Sequence, residues 1–254
     1  MKQCEASKGS VRPGRRRHSH AAALLASALI AGPAIGGDRA AIDVIGYSQD
    51  SRYFAFEEYG IRDGSGFAYS SIYLIDLSTD RWVIGTPVQI TADSEDEPLG
   101  VVREAAQAEA GEALSALGVV EPAEFAALLG DGVPDDDGQT LRFGVPGFGT
   151  GAPRGDYRLE LSSFPARAAS PCAEWFSFEP LGYELVIADG DNRRLIHRDS
   201  TLPRSRGCPQ AYRLYGVVLP FGGTSISDAV ALISVYAGGF EGPDRRFVAV
   251  PLGL

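Results

Sequence analysis

From Ile42 to Thr91 apolar and polar positions alternate with a period of two, which predicts β-strands separated by short turns. Along Arg52–Tyr59 one face collects Tyr53, Ala55, Glu57 and Tyr59, and the other collects Arg52, Phe54, Phe56 and Glu58. Aromatic side chains on both faces predict a central strand covered on two sides. Residues 60–68 (GIRDGSGFA) then read as a glycine-rich loop, and Tyr69–Leu77 as the returning partner strand. Ser78, Thr79 and Asp80 make the next turn before a strand over Trp82–Ile90.

Beyond Thr91 the period changes. Ser94 and Glu97 stand in capping-box spacing, with Pro98 in the first helical turn. Leu99, Val102, Ala106, Ala110, Ala113 and Leu117 follow at steps of three and four, and Gly118 can end the helix. A second short helix is expected over Pro122–Leu129, stopping at Gly130. Residues 95–130 thus read as a helical insertion whose narrow, mostly alanine stripe suits close packing on a sheet. Residues 131–156 are turn-rich, with one short strand at Thr140–Phe143. Strands return at Tyr157–Phe164, Trp175–Phe178, Tyr183–Ala188, Leu195–Arg198 and Tyr212–Leu219. A last hairpin follows from Ala229–Tyr236 and Arg246–Val250.

Two of these hairpins echo each other. Asp50 and Asp228 each precede a strand that reaches a glycine ten residues on, at Gly60 and Gly238, and a glycine-rich loop and return strand follow. The echoes are 178 residues apart, whereas a propeller repeats its blade about every 40–50 residues. The expected fold class is mainly β with a helical insertion, β-sandwich-like or a partial β-propeller, in a single domain over residues 37–254.

The N-terminus changes the setting. Arg12, Arg15, Arg16 and Arg17 precede the apolar run Ala21–Ile35, which is shorter than the roughly 20 residues a membrane span needs. Pro33 near its end, and small residues at Ala34 and Gly36, predict a secretory signal peptide over residues 1–36, cut before Gly37. The alternative is an uncut signal anchor. The expected location is secreted or periplasmic, with no stable membrane span after cleavage. The whole chain carries a net charge of −10, and residues 37–254 keep 17 arginines, no lysine and 32 acidic residues, a net charge of −15. A surface this acidic repels phosphate backbones and anionic headgroups, so no nucleic-acid partner is expected. Cys4 would leave with the signal. Cys172 and Cys208 are left as a pair in an oxidising compartment, where a disulfide is the expectation and two buried thiols the alternative.

Catalytic motifs are sparse. His197 is the one histidine of residues 37–254, so a histidine-based zinc site or a Ser-His-Asp triad would rest on it alone. Its place in LIHRD, on an expected strand, reads as structural. No G-x-S-x-G or Walker loop occurs, and the glycines at 144, 147, 149 and 151 do not fit a dinucleotide fingerprint. Glu57 and Glu58 are adjacent on a strand and must face opposite ways. In Asp135-Asp136-Asp137-Gly138, Val133 and Gly144 occupy the positions a calcium loop gives to ligands, so this run reads as a solvated acidic turn. Asp189-Gly190-Asp191-Asn192 reads as a hairpin turn. No catalytic residue, metal or cofactor is implied. The candidates for recognition are the two glycine-rich loops: Arg62, Asp63 and Phe67 in one, and Phe240, Glu241, Asp244, Arg245 and Arg246 in the other. If the two hairpins are neighbours, these loops form one edge.

GYSQDSRYFAFEEYG (46–60), SSIYLIDLSTDRW (70–82), the helical insertion, the PC and RGCP cysteine segments and AGGFEGPDRRFVAVP (237–251) together resemble an uncharacterised bacterial family of predicted secreted proteins with a domain of unknown function. The resemblance covers nearly all of residues 37–254, and FEGPDRRF is its most specific stretch. It implies export and a shared fold, and it transfers no activity. The expected role is non-catalytic binding of an unknown protein or small ligand. The alternatives are an acidic-residue hydrolase acting on glycan and an envelope structural protein. A hydrolase should place two carboxylates across a cleft, and a binding module should expose an apolar or arginine-rich edge.

Overall fold

In the computed structural model, residues 36–132, 138–147 and 153–253 are described. The expected signal segment up to residue 35 and the acidic run Asp135–Asp137 lie outside them. Strands β1 (Ala41–Ser48), β2 (Tyr53–Ile61) and β3 (Ala68–Asp76) form an antiparallel meander. The β1–β2 turn is built as its sequence implies. The Ser48 hydroxyl donates to Asp50 Oδ1 at 2.6 Å and accepts the Tyr53 N–H at 2.9 Å. β4 (Arg81–Trp82) and β5 (Val88–Thr91) both pair with β3. The single strand expected over Trp82–Ile90 is therefore two, separated at Gly85 and Pro87, where Pro87 has no N–H to continue the ladder.

Helix α1 spans Leu99–Ala116 and buries Val102, Ala106 and Ala110, the expected face. Gly118, in the left-handed region at φ 64°, follows its C-terminus. The expected capping box does not form. Pro98 is the N-cap residue, and the Glu97 carboxylate reaches the Asp93 N–H at 2.9 Å instead of Ser94. Within the expected helical insertion the chain instead forms strand β6 (Val119–Glu121) on β1, and the helix expected over Pro122–Leu129 is replaced by β7 (Ala123–Leu128) on β12 (Pro209–Pro220). Helix formers such as Ala123, Glu124 and Leu128 yield here because two open sheet edges offer ladder partners. Gly46 makes the first of these pairings possible. A Cβ there would lie 2.2 Å from the Glu121 carbonyl oxygen.

A second sheet orders β11 (Asn192–Arg198), β10 (Leu181–Asp189), β9 (Arg154–Pro165) and β8 (Thr140–Val145). The strand expected at Trp175–Phe178 is instead the short helix α2 (Cys172–Phe176), ended by Ser177 at φ 60°. The Cys172–Cys208 disulfide ties α2 to the start of β12. The third sheet orders β14 (Pro243–Pro251), β13 (Val230–Gly238), β12 and β7. All strand pairs in the three sheets are antiparallel.

The layers run α1, first sheet, third sheet, second sheet. β13 lies in the middle and is buried along most of its length. Ala231, Ile233 and Val235 pack towards Leu159, Leu185 and Ile187 of the second sheet. Val230 and Leu232 pack towards Phe54, Phe56 and Tyr47 of the first. On the other side of β2, Ala55 meets Ala106 and Ala110 of α1, together with Ile72 and Leu74. β2 is thus covered on two sides, as its aromatic pattern implies. Full burial of each such aromatic or branched side chain is worth roughly 1.5–3 kcal/mol. Three stacked sheets, none closed into a barrel, are the sandwich-like arm of the expectation. No described helix is long and apolar enough to cross a membrane.

Candidate functional site

A cleft of about 820 Å³ lies between the β2–β3 face, β14 and the segment that follows β11. The aromatic row Phe56, Tyr73 and Trp82 lines it, with Phe56 and Tyr73 stacked at 4.8 Å and Trp82 edge-on to Tyr73 at 5.4 Å. Two clusters of polar side chains also line it.

The first cluster centres on Tyr69. The Arg62 guanidinium lies 4.1 Å from the Tyr69 ring centroid and that of Arg246 lies 5.1 Å from it. Arg246 Nη1 also donates to the Tyr69 hydroxyl at 2.5 Å. Both arginines converge on one acceptor, Asp38 Oδ2, at 2.7 Å from Arg62 and 3.0 Å from Arg246. Burial pushes the Asp38 carboxyl up, but the donors Arg62, the Asp63 N–H and Arg246 outweigh it and hold it below the usual carboxylate range. Glu58 shows the opposite balance. Fully buried, it accepts the Phe247 N–H at 2.9 Å and stands 3.7 Å from Arg246 Nε. Burial dominates and pushes its carboxyl up to about 7.

The second cluster centres on Tyr183, which is buried between the second and third sheets. His197 stacks on its ring at 4.7 Å, and the His197 Nε2 lies 3.0 Å from Asp199 Oδ1. Asp199 Oδ2 accepts the Tyr183 N–H at 3.0 Å. Arg206 lies over the same ring at 5.2 Å, and its Nη1 is 3.5 Å from Asp199 Oδ2. That buried nitrogen makes no hydrogen bond within the protein. The disulfide at Cys208, two residues on, anchors the segment carrying Arg206.

The two glycine-rich loops meet, and the residue that joins them is Asp38. Arg62, Asp63, Asp244 and Arg246 all bond to the Asp38 residue, and the Asp63 and Glu241 carboxylates both stand against Gly36. Arg62 and Arg246 also line the cleft. The other three residues lie elsewhere. Phe67 packs on Val102 and Leu99 beside α1. Phe240 is exposed at the loop tip. Arg245 is buried, donating to the Ala40 carbonyl and pairing with Asp131. Glu57 and Glu58 face opposite ways, as two adjacent strand residues must.

Asp38, Glu58, Asp199 and Arg206 are not evident from the sequence as site residues. For Asp199 a signal exists: His197 and Asp199 are two apart at the end of a strand, which puts them on one face. For Asp38 none does, because its partners lie 24 and 208 positions away. Among the described residues no group of three metal-ligating side chains converges.

Stacked antiparallel sheets stapled by a disulfide define a β protein built for an oxidising compartment. Residues 55–252 match the family described as "Predicted secreted protein (DUF2259)", and the chain belongs to that family. No curated protein and no solved structure matches it.

Proposed function

We propose that this is a non-catalytic binding protein whose ligand sits in the cleft and carries negative charge beside a flat apolar part. One observation carries the reading. Five arginines (Arg62, Arg81, Arg198, Arg206, Arg246) line the cleft against three carboxylates (Glu58, Asp80, Asp199), in a chain whose net charge is −10. Arginine over aromatic rings suits a planar anion, because the guanidinium offers parallel donors and the rings offer a flat face. Arg206 in particular lies over the Tyr183 ring at 5.2 Å and is held there by Asp199 at 3.5 Å. Focusing of the arginines' field between low-dielectric walls offsets the repulsion from the acidic surface.

Thermal-shift titration with matched probes tests this: benzoate against benzyl alcohol, and glucuronate against glucose. The anionic member of a pair should raise Tm, the shift should fall with added salt, and Arg206→Gln should abolish it. Equal shifts from the neutral probes, or none from any, overturn it.

One observation favours a second reading, a hydrolase. A carboxyl held protonated up to about pH 7 in a cleft with other carboxylates is the condition a general acid needs. Against it, the Glu58 oxygens are engaged by the Phe247 N–H and by Arg246. Turnover of a glycan substrate that Glu58→Gln abolishes, with binding retained, would establish this reading in place of the first.

A further inference from the structure

Residues Gly36–Ala40 run between the two glycine-rich loops, and their backbone is held on both sides. The Asp38 N–H donates to Asp244 Oδ1 at 2.8 Å, and the Asp38 carbonyl accepts the Arg245 N–H at 2.7 Å. Arg39 makes a parallel bridge with Arg245, and the Ala40 N–H donates to the Arg245 carbonyl at 3.4 Å. At the head of this docked stretch the Gly37 N–H donates to Asp63 Oδ2 at 3.2 Å. Residue 37 must be glycine here: φ is 143°, and a Cβ would lie 2.6 Å from the Pro243 carbonyl oxygen. One residue earlier, a Cβ on Gly36 would lie 2.8 Å from Asp63 Oδ2 and 2.9 Å from Glu241 Oε2. The position just before Gly37 is therefore walled by two carboxylates, and the Gly37 amide N–H meets one of them, Asp63.

Hydrolysis of the Gly36–Gly37 bond, the cut the sequence predicts, alters this atom. Water adds across the peptide bond, Gly36 leaves with a carboxylate, and the Gly37 nitrogen becomes an ammonium. One neutral donor becomes three charged ones at the same place. We propose that Asp63 and Glu241 form a seat for the α-ammonium group of Gly37, so that signal cleavage completes the docking of residues 37–40. Through Asp38, the next residue, the docked end holds Arg62 and Arg246 at the cleft. The groups facing the nitrogen are Asp63 and Arg62 from one loop, Glu241 and Asp244 from the other, and Asp38 beside it. Arg62 is already engaged by Asp38, so the uncompensated charge is negative. Glu241 is held above the usual carboxylate range by its hydrogen bond with Asp63 and by that group's charge, a repulsion an ammonium relieves.

A seated amine has its pKa raised above the usual 7.7–8.0. Its stabilisation is complete below that unfolded value and is lost as pH rises through the folded one. The exported protein should have the intact mass of a chain beginning at Gly37. At pH 7 or below, under the ordinary amine value, each unit by which the amine's pKa is raised makes it roughly tenfold less reactive towards N-terminal acylation. Asp63→Asn with Glu241→Gln, both on exposed side chains, should restore ordinary reactivity without unfolding the protein. A chain with one alanine added before Gly37 should melt lower at pH 7, and its Tm should not respond to that pair of substitutions. A mature end at any other residue overturns the proposal, and so does an amine of ordinary reactivity that ignores the two substitutions.

Discussion

Glu57 and Glu58 are neighbours in sequence and opposites in environment. Glu57 faces α1, where the Arg103 Nε and Nη2 donate to it at 2.9 Å each, Ser70 at 2.8 Å and Gln107 at 3.1 Å. Burial pushes its carboxyl up, but these donors win and hold it below the usual range. Glu58 faces the third sheet with fewer donors, and burial wins. The unfolded carboxyl titrates near pH 4.5 and the folded one near 7, so between those values the folded state holds the extra proton. Stability should therefore rise as pH falls from about 7 to about 4.5, by roughly 3 kcal/mol from this residue. Glu58→Gln should flatten that slope, read as urea midpoints across the window. An unchanged slope would assign the proton elsewhere. The opposed facing was legible from strand alternation alone, but which of the pair would be paired was not, because Arg103 and Arg246 come from distant elements.

The elements most legible in the sequence are those whose pattern and partners agree. α1 ends where Gly118 allows, and its alanine face lets it lie close on β2 and β3. β7 was illegible because local propensity for helix there is overridden by pairing with β12, and β6 because its partner β1 lies more than 70 residues away. Beside this apolar packing the helix is tied to its sheet by Arg103, which also lies 3.7 Å over the Tyr59 ring and pairs with Asp43. Arg103→Ala should cost about 3 kcal/mol at pH 7, the low end for a broken buried pair, because Glu57 is covered by side chains that can move aside. The Glu57 contribution is present above the ordinary carboxylate range and lost as pH falls through its lowered folded value. The difference between variant and wild type should therefore shrink below about pH 4. A difference independent of pH would mean that packing, not charge, is what the substitution removes.

For the molecule as a whole, the sequence made export, the disulfide and a two-sided β core readable, since each rests on local residues or a simple count. The cleft was not readable, because it is assembled from β2, β3, β14 and the segment before Cys208, which meet only once the sheets have stacked. The Cys172–Cys208 bridge belongs to both lessons. Replacing both cysteines with serine should lower stability by about 3 kcal/mol on the chain-entropy account. It should also loosen the segment carrying Asp199 and Arg206, so any anionic probe that raises the wild-type Tm should bind more weakly. Lost stability with full probe affinity would place the probe away from Arg206.

β6 ends at Glu121 and β7 begins at Ala123, so Pro122 alone carries the chain from the first sheet to the third. Its φ is fixed by its ring, and its carbonyl is held by the Phe221 N–H at 2.7 Å. Two walls spliced by a single stiff joint cannot swing like jaws. The β2–β3 and β14 sides of the cleft are thereby held at a fixed spacing, so those two walls should select by fit rather than by closing. Small-angle scattering curves of empty and loaded protein should superimpose.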